Sequence, residues 1–323
     1  MFLNDTVFAF LLLSQICFGF IGNSFLFILY MYTLLNQSHL KKPIGWIFTH
    51  LTLVNVLTIM FVLIPEIAHS FGVRHFMDDV GCKAVLYIYR VTRGLSICTT
   101  SLLSTFQAIT ICPNSSRWAW LKFKLSKCIF PCFLFFWIIN MLIYINIITT
   151  VGASTNFTMV GRGYCHVYCE TRYVGFQDSS SFAGTIVIRD LLFVVLMIWT
   201  SIYMVIFLYR HHRKTQHVHN TSISSQTSPE YKATHTILVL VSLFVFFYCL
   251  NNVMTFYLFY RSGKSSRLQK FSGILSSCYP TIFPFILMKS NKIFSQFAFP
   301  FQRRQLPRLK ENRMTNLTSP TSF

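Results

Sequence analysis

Charge is scarce in this chain. Of 323 residues only 11% are Asp, Glu, Lys or Arg, against roughly a quarter in an ordinary soluble domain. That shortage excludes an exterior built for water. Acids are the rarest, at nine, and near membrane depth only Glu66 and Asp190 occur, both at the ends of apolar blocks. Two facing carboxylates for intramembrane proteolysis are therefore missing. No His-Glu-x-x-His is present to hold a protease zinc, and no glycine-rich loop to cradle phosphate. His217 and His219 stand in a basic segment without Cys or carboxylate support, so no metal site is expected. The paired, Gly- or Pro-broken repeats of transporter folds are absent as well. The sequence predicts no catalysis and no cofactor.

What is abundant is apolar surface. Hydrophobic residues make up 53% of the chain, with 35 Phe, and they arrive in long blocks without helical or strand alternation. A spanning helix needs about 20 mostly apolar residues. Seven blocks satisfy this: 7–32, 46–68, 83–111, 127–150, 188–209, 233–260 and 269–288. The third and seventh are the least apolar, since Arg90 and Arg93 lie in one and Ser272, Ser276, Ser277 and Pro280 in the other. Helices in the interior of a bundle have that composition. The first block lacks a basic start and runs past the length of a cleaved signal, so it reads as a retained helix. The expected fold is an all-α membrane protein, a seven-transmembrane-helix bundle forming one domain over 1–323, with a basic tail from 289 to 323.

Basic residues orient it. With the N-terminus outside, seventeen Lys and Arg fall on cytoplasmic segments, among them Arg117, Lys122, Lys124, Lys127, Arg210, Arg213 and Lys214. About nine fall on the other side, so the C-terminus reads as cytoplasmic. The net charge of +19 then reflects attraction to the anionic leaflet and implies membrane lipid, not nucleic acid, as partner. Of the glycosylation sequons, those at Asn4 and Asn156 lie outside in this topology.

Ten cysteines are too scattered for a disulfide scaffold. Three of them, Cys82, Cys165 and Cys169, share the oxidising side, which leaves one bridge from Cys82 to either Cys165 or Cys169.

Below Cys82 on the third helix, Tyr89 and Arg93 stand one turn apart on one face. Arg93 there meets either an anionic or carbonyl-bearing ligand or an internal acid, for which Glu66 and Asp190 are the candidates, because an unpaired charge at that depth costs several kcal/mol. Arg90 faces elsewhere and reads as structural. Tyr248, Phe256 and Tyr257 on the sixth helix either shape an apolar pocket or simply pack. Pro229 and Glu230 open that helix as first-turn residues behind Ser228 as cap. From 229 to 260 it would extend about 48 Å, longer than about 30 Å of hydrocarbon, so its first turns project into the cytosol. Gln107, Thr110, Arg117, Lys122, Arg213 and Lys214 are candidate contacts there for a partner protein, with lipid headgroups competing.

Several ordered stretches carry a resemblance. They are Arg93-Gly94-Leu-Ser-Ile-Cys-Thr-Thr-Ser-Leu-Leu-Ser104, Gln107-Ala108-Ile109-Thr110, Arg189-Asp190-Leu-Leu-Phe-Val-Val-Leu-Met, Tyr203-Met204-Val205, Arg210-His211-His212-Arg213 and Ser228-Pro229-Glu230. Together they resemble the type 1 vomeronasal receptors over nearly the whole chain. Gly22-Asn23 is similar to rhodopsin-like receptors more broadly, but Phe106-Gln107-Ala108 stands where those have Asp-Arg-Tyr, and Asn55 where many place Asp. Phe283-Pro284-Phe285 replaces their Asn-Pro-x-x-Tyr. Odorant receptors therefore fit worse; a bitter-taste-like chemoreceptor is the nearer alternative and a small-solute transporter the rival from another class. The resemblance implies a plasma-membrane receptor of vomeronasal sensory neurons that binds pheromone-like small organic molecules. It implies coupling to an inhibitory heterotrimeric G protein, Tyr89, Arg93, Glu66, Asp190 and Tyr257 being the candidate ligand-binding residues. It also implies that Cys165 closes the bond to Cys82.

Overall fold

The computed structural model describes residues 2–36, 43–73, 77–112, 119–153, 165–166, 169–171, 176–218, 229–260 and 266–290. In chain order the elements are α1 (Phe2–Asn36), α2 (Pro43–Ser70), α3 (Asp79–Ile111), α4 (Ala119–Ile143), the single turn α5 (Ile147–Thr150), β1 (Val151–Ala153), β2 (Cys165–His166), β3 (Cys169–Thr171), α6 (Phe176–Val218), α7 (Pro229–Tyr260) and α8 (Ser266–Ser290). Among the described residues seven helical segments are long and apolar enough to cross a membrane. Two boundaries differ from the hydropathy reading. The block 127–150 breaks at a turn over residues 144–146, where the Thr149 and Thr150 hydroxyls both donate to the Asn146 carbonyl. Conversely α6 begins at Phe176, because its polar first turns are helical without being apolar.

Helix α3 forms the centre. Every residue from Gly94 to Ser104 is buried, which a helix achieves only when neighbours cover it on all sides. Gly, Ser, Thr and Cys supply much of that stretch, and small residues let helix backbones approach closely. This is why the most buried helix is also among the least hydropathic. Gly94 is the extreme case: a Cβ there would stand 1.9 Å from Asn140 Oδ1 and 2.9 Å from Arg189 Nη1. Asp78 caps the helix by accepting from the Gly81 amide at 2.7 Å.

The join of α1, α2 and α8 explains Gly22-Asn23 physically. Pro284 has no N–H to give the Pro280 carbonyl four residues earlier, and Asn23 Nδ2 donates to that oxygen at 2.8 Å. Asn55 Nδ2 donates in turn to Asn23 Oδ1 at 3.2 Å. Gly22 makes the approach possible, since a Cβ would lie 2.8 Å from Pro284 Cγ. A neutral Asn at position 55 thus serves as a link between helices.

At one end a small antiparallel sheet, ordered β1-β3-β2, lies against α3. The Ala153 amide on β1 donates to Asp79 Oδ1 at 2.7 Å, tying the sheet to the first turn of α3. Cys82 is bonded to Cys169, with Cα atoms 5.6 Å apart. The pairing with Cys165 is therefore corrected. Cys169 sits on the central strand opposite Ala153, next to the strand held by Asp79, whereas Cys165 is on outer strand β2 opposite Glu170, one strand farther from α3.

Candidate functional site

A buried polar network and a small cleft lie below the disulfide end. The network is built by α3, α4, α6 and α7. Arg189 and Asp190 form an ion pair at 2.6 Å, both side chains nearly buried. Arg189 also donates to Asn140 Oδ1 at 2.7 Å and to the Tyr144 hydroxyl at 2.9 Å, and its guanidinium lies 5.3 Å from the Tyr144 ring centre. The other carboxylate oxygen of Asp190 accepts from the Tyr248 hydroxyl. Tyr248 carries the network onward, because Arg93 stacks over its ring at 4.9 Å.

Arg93 itself donates to Asn252 and lies close to the Tyr89 phenol. That hydrogen bond is to a neutral amide, and among the described residues no carboxylate stands within ion-pairing distance of Arg93. The expectation of an acid partner is met otherwise: Asp190 is taken by Arg189 and Tyr248, and Glu66, buried on α2, lies against Gly273 of α8 and in the field of Lys270. A half-buried guanidinium balanced by aromatic faces and an amide is suited to a ligand acceptor. Arg93 stands about 16 Å below Cys82 at 1.5 Å per residue, near the middle of the span.

The cleft lies directly under the disulfide, lined by Phe61 and Pro65 of α2, Leu86 and Tyr89 of α3, Met77 and Cys169. Its space admits little more than one water molecule, far below the several hundred Å³ of a small-molecule site. The cleft between α2 and α3 is thus too small for such a ligand in this structure.

Three of the five expected ligand-site residues, Tyr89, Arg93 and Asp190, are linked through Tyr248, while Glu66 lies apart, beside α8. Tyr257 stands apart as well. It is 52% exposed on the outer side of α7, because nine residues at 100° each turn it half a revolution away from Tyr248. Phe256 also points outward. Asn140, Arg189, Asn252 and Lys270 were not singled out for the site. Their signal is a polar side chain inside an apolar run.

At the opposite end, Gln107 is buried and donates from Nε2 to Thr234 Oγ1 at 2.9 Å, linking α3 to α7 instead of facing outward. Ser104 and Thr200 share a 2.6 Å bond between α3 and α6, and Lys122 donates to the Cys112 carbonyl at 2.5 Å, closing the end of α3. Thr110 and Arg213 are exposed. Arg117 and Asn156 lie outside the described residues, as do the side chains of Asn4, Cys165 and Lys214.

His50 was also not singled out. Trp137 donates from Nε1 to its Nε2 at 3.0 Å. An indole N–H only donates, so the His50 proton is on Nδ1 and goes to Thr99 Oγ1, 3.1 Å away. This neutral imidazole joins α2, α3 and α4 while its ring stacks on Phe133 at 4.2 Å.

Comparison with known proteins gives a consistent picture. Residues 6–300 match the model of the vomeronasal organ pheromone receptor family. The chain is 34% identical over 293 residues to vomeronasal type-1 receptor 4 of Homo sapiens, covering 91% of this chain and 97% of that one. It is 36% identical over 277 residues to human vomeronasal type-1 receptor 2, covering 85% and 70%. With the olfactory receptor class A-like protein 1 of Danio rerio the identity is 31%, covering 87% and 88%. The crystal structure of squid rhodopsin superposes with a TM-score of 0.68 at 15% identity, covering 92% of this chain and 86% of that one, which establishes the shared seven-helix fold.

Proposed function

The chain belongs to the vomeronasal organ pheromone receptor family, a family of G-protein-coupled chemosensory receptors and not of enzymes, and from that premise we propose how it signals. A pheromone-like small organic molecule enters from the disulfide end, which faces outward together with the N-terminus and the sequons at Asn156 and Asn4. The opposite end and the basic tail face the cytoplasm of a vomeronasal sensory neuron and activate an inhibitory-type heterotrimeric G protein. The excess of Lys and Arg at that end supports this orientation, and the disulfide suits an oxidising exterior.

The observation that carries the ligand site is Arg93. Its half-buried side chain is bonded to Asn252 and lies over Tyr248 without a carboxylate of its own, so an incoming carbonyl or anionic group replaces a weak amide partner and not an ion pair. Tyr89 connects this residue to the cleft under the disulfide, and Glu66, in the field of Lys270, completes the proposed site on the side of α8. Ligand spreads the outer half and shifts a two-state bundle by its differential affinity for the open state. At the cytoplasmic end the Gln107–Thr234 bond breaks as α7 moves from α3, and Thr110, Arg117, Arg213 and Lys214 meet the G protein.

The test is dose-response in cells expressing Arg93→Gln at matched surface level. We expect potency for agonists with a hydrogen-bond-accepting or anionic group to fall about tenfold or more, as charge-assisted bonds contribute roughly 1.5–3 kcal/mol. Unchanged potency across all agonists would remove Arg93 from the ligand site.

A further inference from the structure

No acidic residue occurs between Val80 and Cys169, a run that contains all of α4. At 100° per residue Trp120, Lys124, Lys127, Leu134 and Ile138 fall within about 40° of one line along that helix. All five are exposed, with Trp120 at 61% and Leu134 at 64%. The buried residues Ile129, Phe133, Phe136 and Asn140 take the other side, against α3. Read from the cytoplasmic end, this face has an indole, two ammonium groups and then an apolar ladder. Lys124 Nζ lies 5.4 Å from the Trp120 ring centre, and Lys127 is the first residue of the apolar span. From Lys127 to Ile138 the helix rises about 16 Å, the depth of one leaflet of a hydrocarbon core about 30 Å thick.

We propose that this face of α4 seats one anionic phospholipid of the cytoplasmic leaflet, its headgroup on Lys124 and Lys127 and an acyl chain along Leu134 and Ile138. Charge complementarity selects the occupant. The cations stand at headgroup depth on a helix whose sequence holds no acid, so an anionic headgroup is favoured over a zwitterionic one. The inference rests on the orientation proposed above but uses neither ligand nor G protein.

The experiment is native mass spectrometry of the full-length protein released from nanodiscs of equal phosphatidylserine and phosphatidylcholine, counting each lipid retained. Lys124→Gln with Lys127→Gln is expected to lower the serine-to-choline ratio about thirtyfold, at roughly one charge contact per lysine. The pair Arg210→Gln with Lys232→Gln, which removes the same charge from α6 and α7, should leave it within about twofold. Lys124→Arg with Lys127→Arg should retain the lipid and shows that the site tolerates substitution. Equal loss in both Gln variants, no loss on α4, or displacement by inorganic phosphate alone would overturn the proposal. Because the readout is lipid retention, its failure leaves the receptor reading standing, and loss of signalling with lipid retained would leave the lipid seat standing.

Discussion

Asp190→Ala is the most informative single change to the interior. Asp190 accepts from Arg189 Nε at 2.9 Å, from Arg189 Nη2 at 2.6 Å, and from the Tyr248 hydroxyl. Removing it leaves the Arg189 guanidinium held by two neutral groups, Asn140 and Tyr144, and leaves Tyr248 without an acceptor for its proton. Breaking a buried ion pair from one side costs about 3–5 kcal/mol, which lowers the ratio of folded to unfolded protein by roughly two to nearly four orders of magnitude. Arg189→Met in the Asp190→Ala background should do much less harm than in the native chain, because the uncompensated charge is then gone. A coupling energy of about 2 kcal/mol between the two positions is expected. Unfolding of the purified chain in mixed micelles, with surface expression as a cellular check, measures each corner of the cycle. Additive effects of the two changes, or an Asp190→Ala chain within about 0.5 kcal/mol of native, would refute the reasoning.

Other outcomes follow from single contacts. Gln107→Ala removes the hydrogen bond to Thr234, a contribution of about 1 kcal/mol to the closed state, so ligand-independent G-protein activation should rise about fivefold; no rise would show that the contact does not hold α3 to α7. Gly94→Ala should block surface expression because its Cβ meets Asn140 at 1.9 Å, whereas Gly184→Ala, with nothing within 4 Å, should be silent; equal behaviour of the two would contradict the packing of α3 on α4. Cys169→Ser and Cys82→Ser should both abolish ligand response, while Cys165→Ser should be tolerated; the reverse order for the two loop cysteines would restore the pairing with Cys165.

The seven spans were legible because hydrocarbon imposes length and composition together. Boundaries were legible only where polarity changed with the helix. Residues 176–187 carry Gln177, Asp178 and three successive serines, so hydropathy hides the first turns of α6. Within the site, one-turn spacing placed Tyr89 and Arg93 on a common face correctly, since both lie on one rigid element. Pairing across elements was less accessible. Glu66 and Asp190 were the only acids at depth, yet which cation each meets depends on helix rotation, and adjacent Arg189 takes Asp190 through its own conformation. Tyr257 failed for the same reason in simpler form, because an aromatic count ignores the half turn separating it from Tyr248. The choice between Cys165 and Cys169 depends on strand order, β1-β3-β2, which spacing of four residues does not encode. Gln107 resembled an exposed polar residue near a helix end, and only the approach of α7 turns it inward.

The central claim is that this bundle converts an outside ligand into G-protein activation inside. Its most direct test is activation of a co-expressed inhibitory-type G protein in cells bearing the full chain, across a panel of small organic compounds including carbonyl-bearing and anionic members. Ligand-evoked activation that disappears in the Cys82→Ser chain at matched surface expression is the predicted result. Solute flux through the surface-expressed chain, with no G-protein signal for any compound, would contradict it.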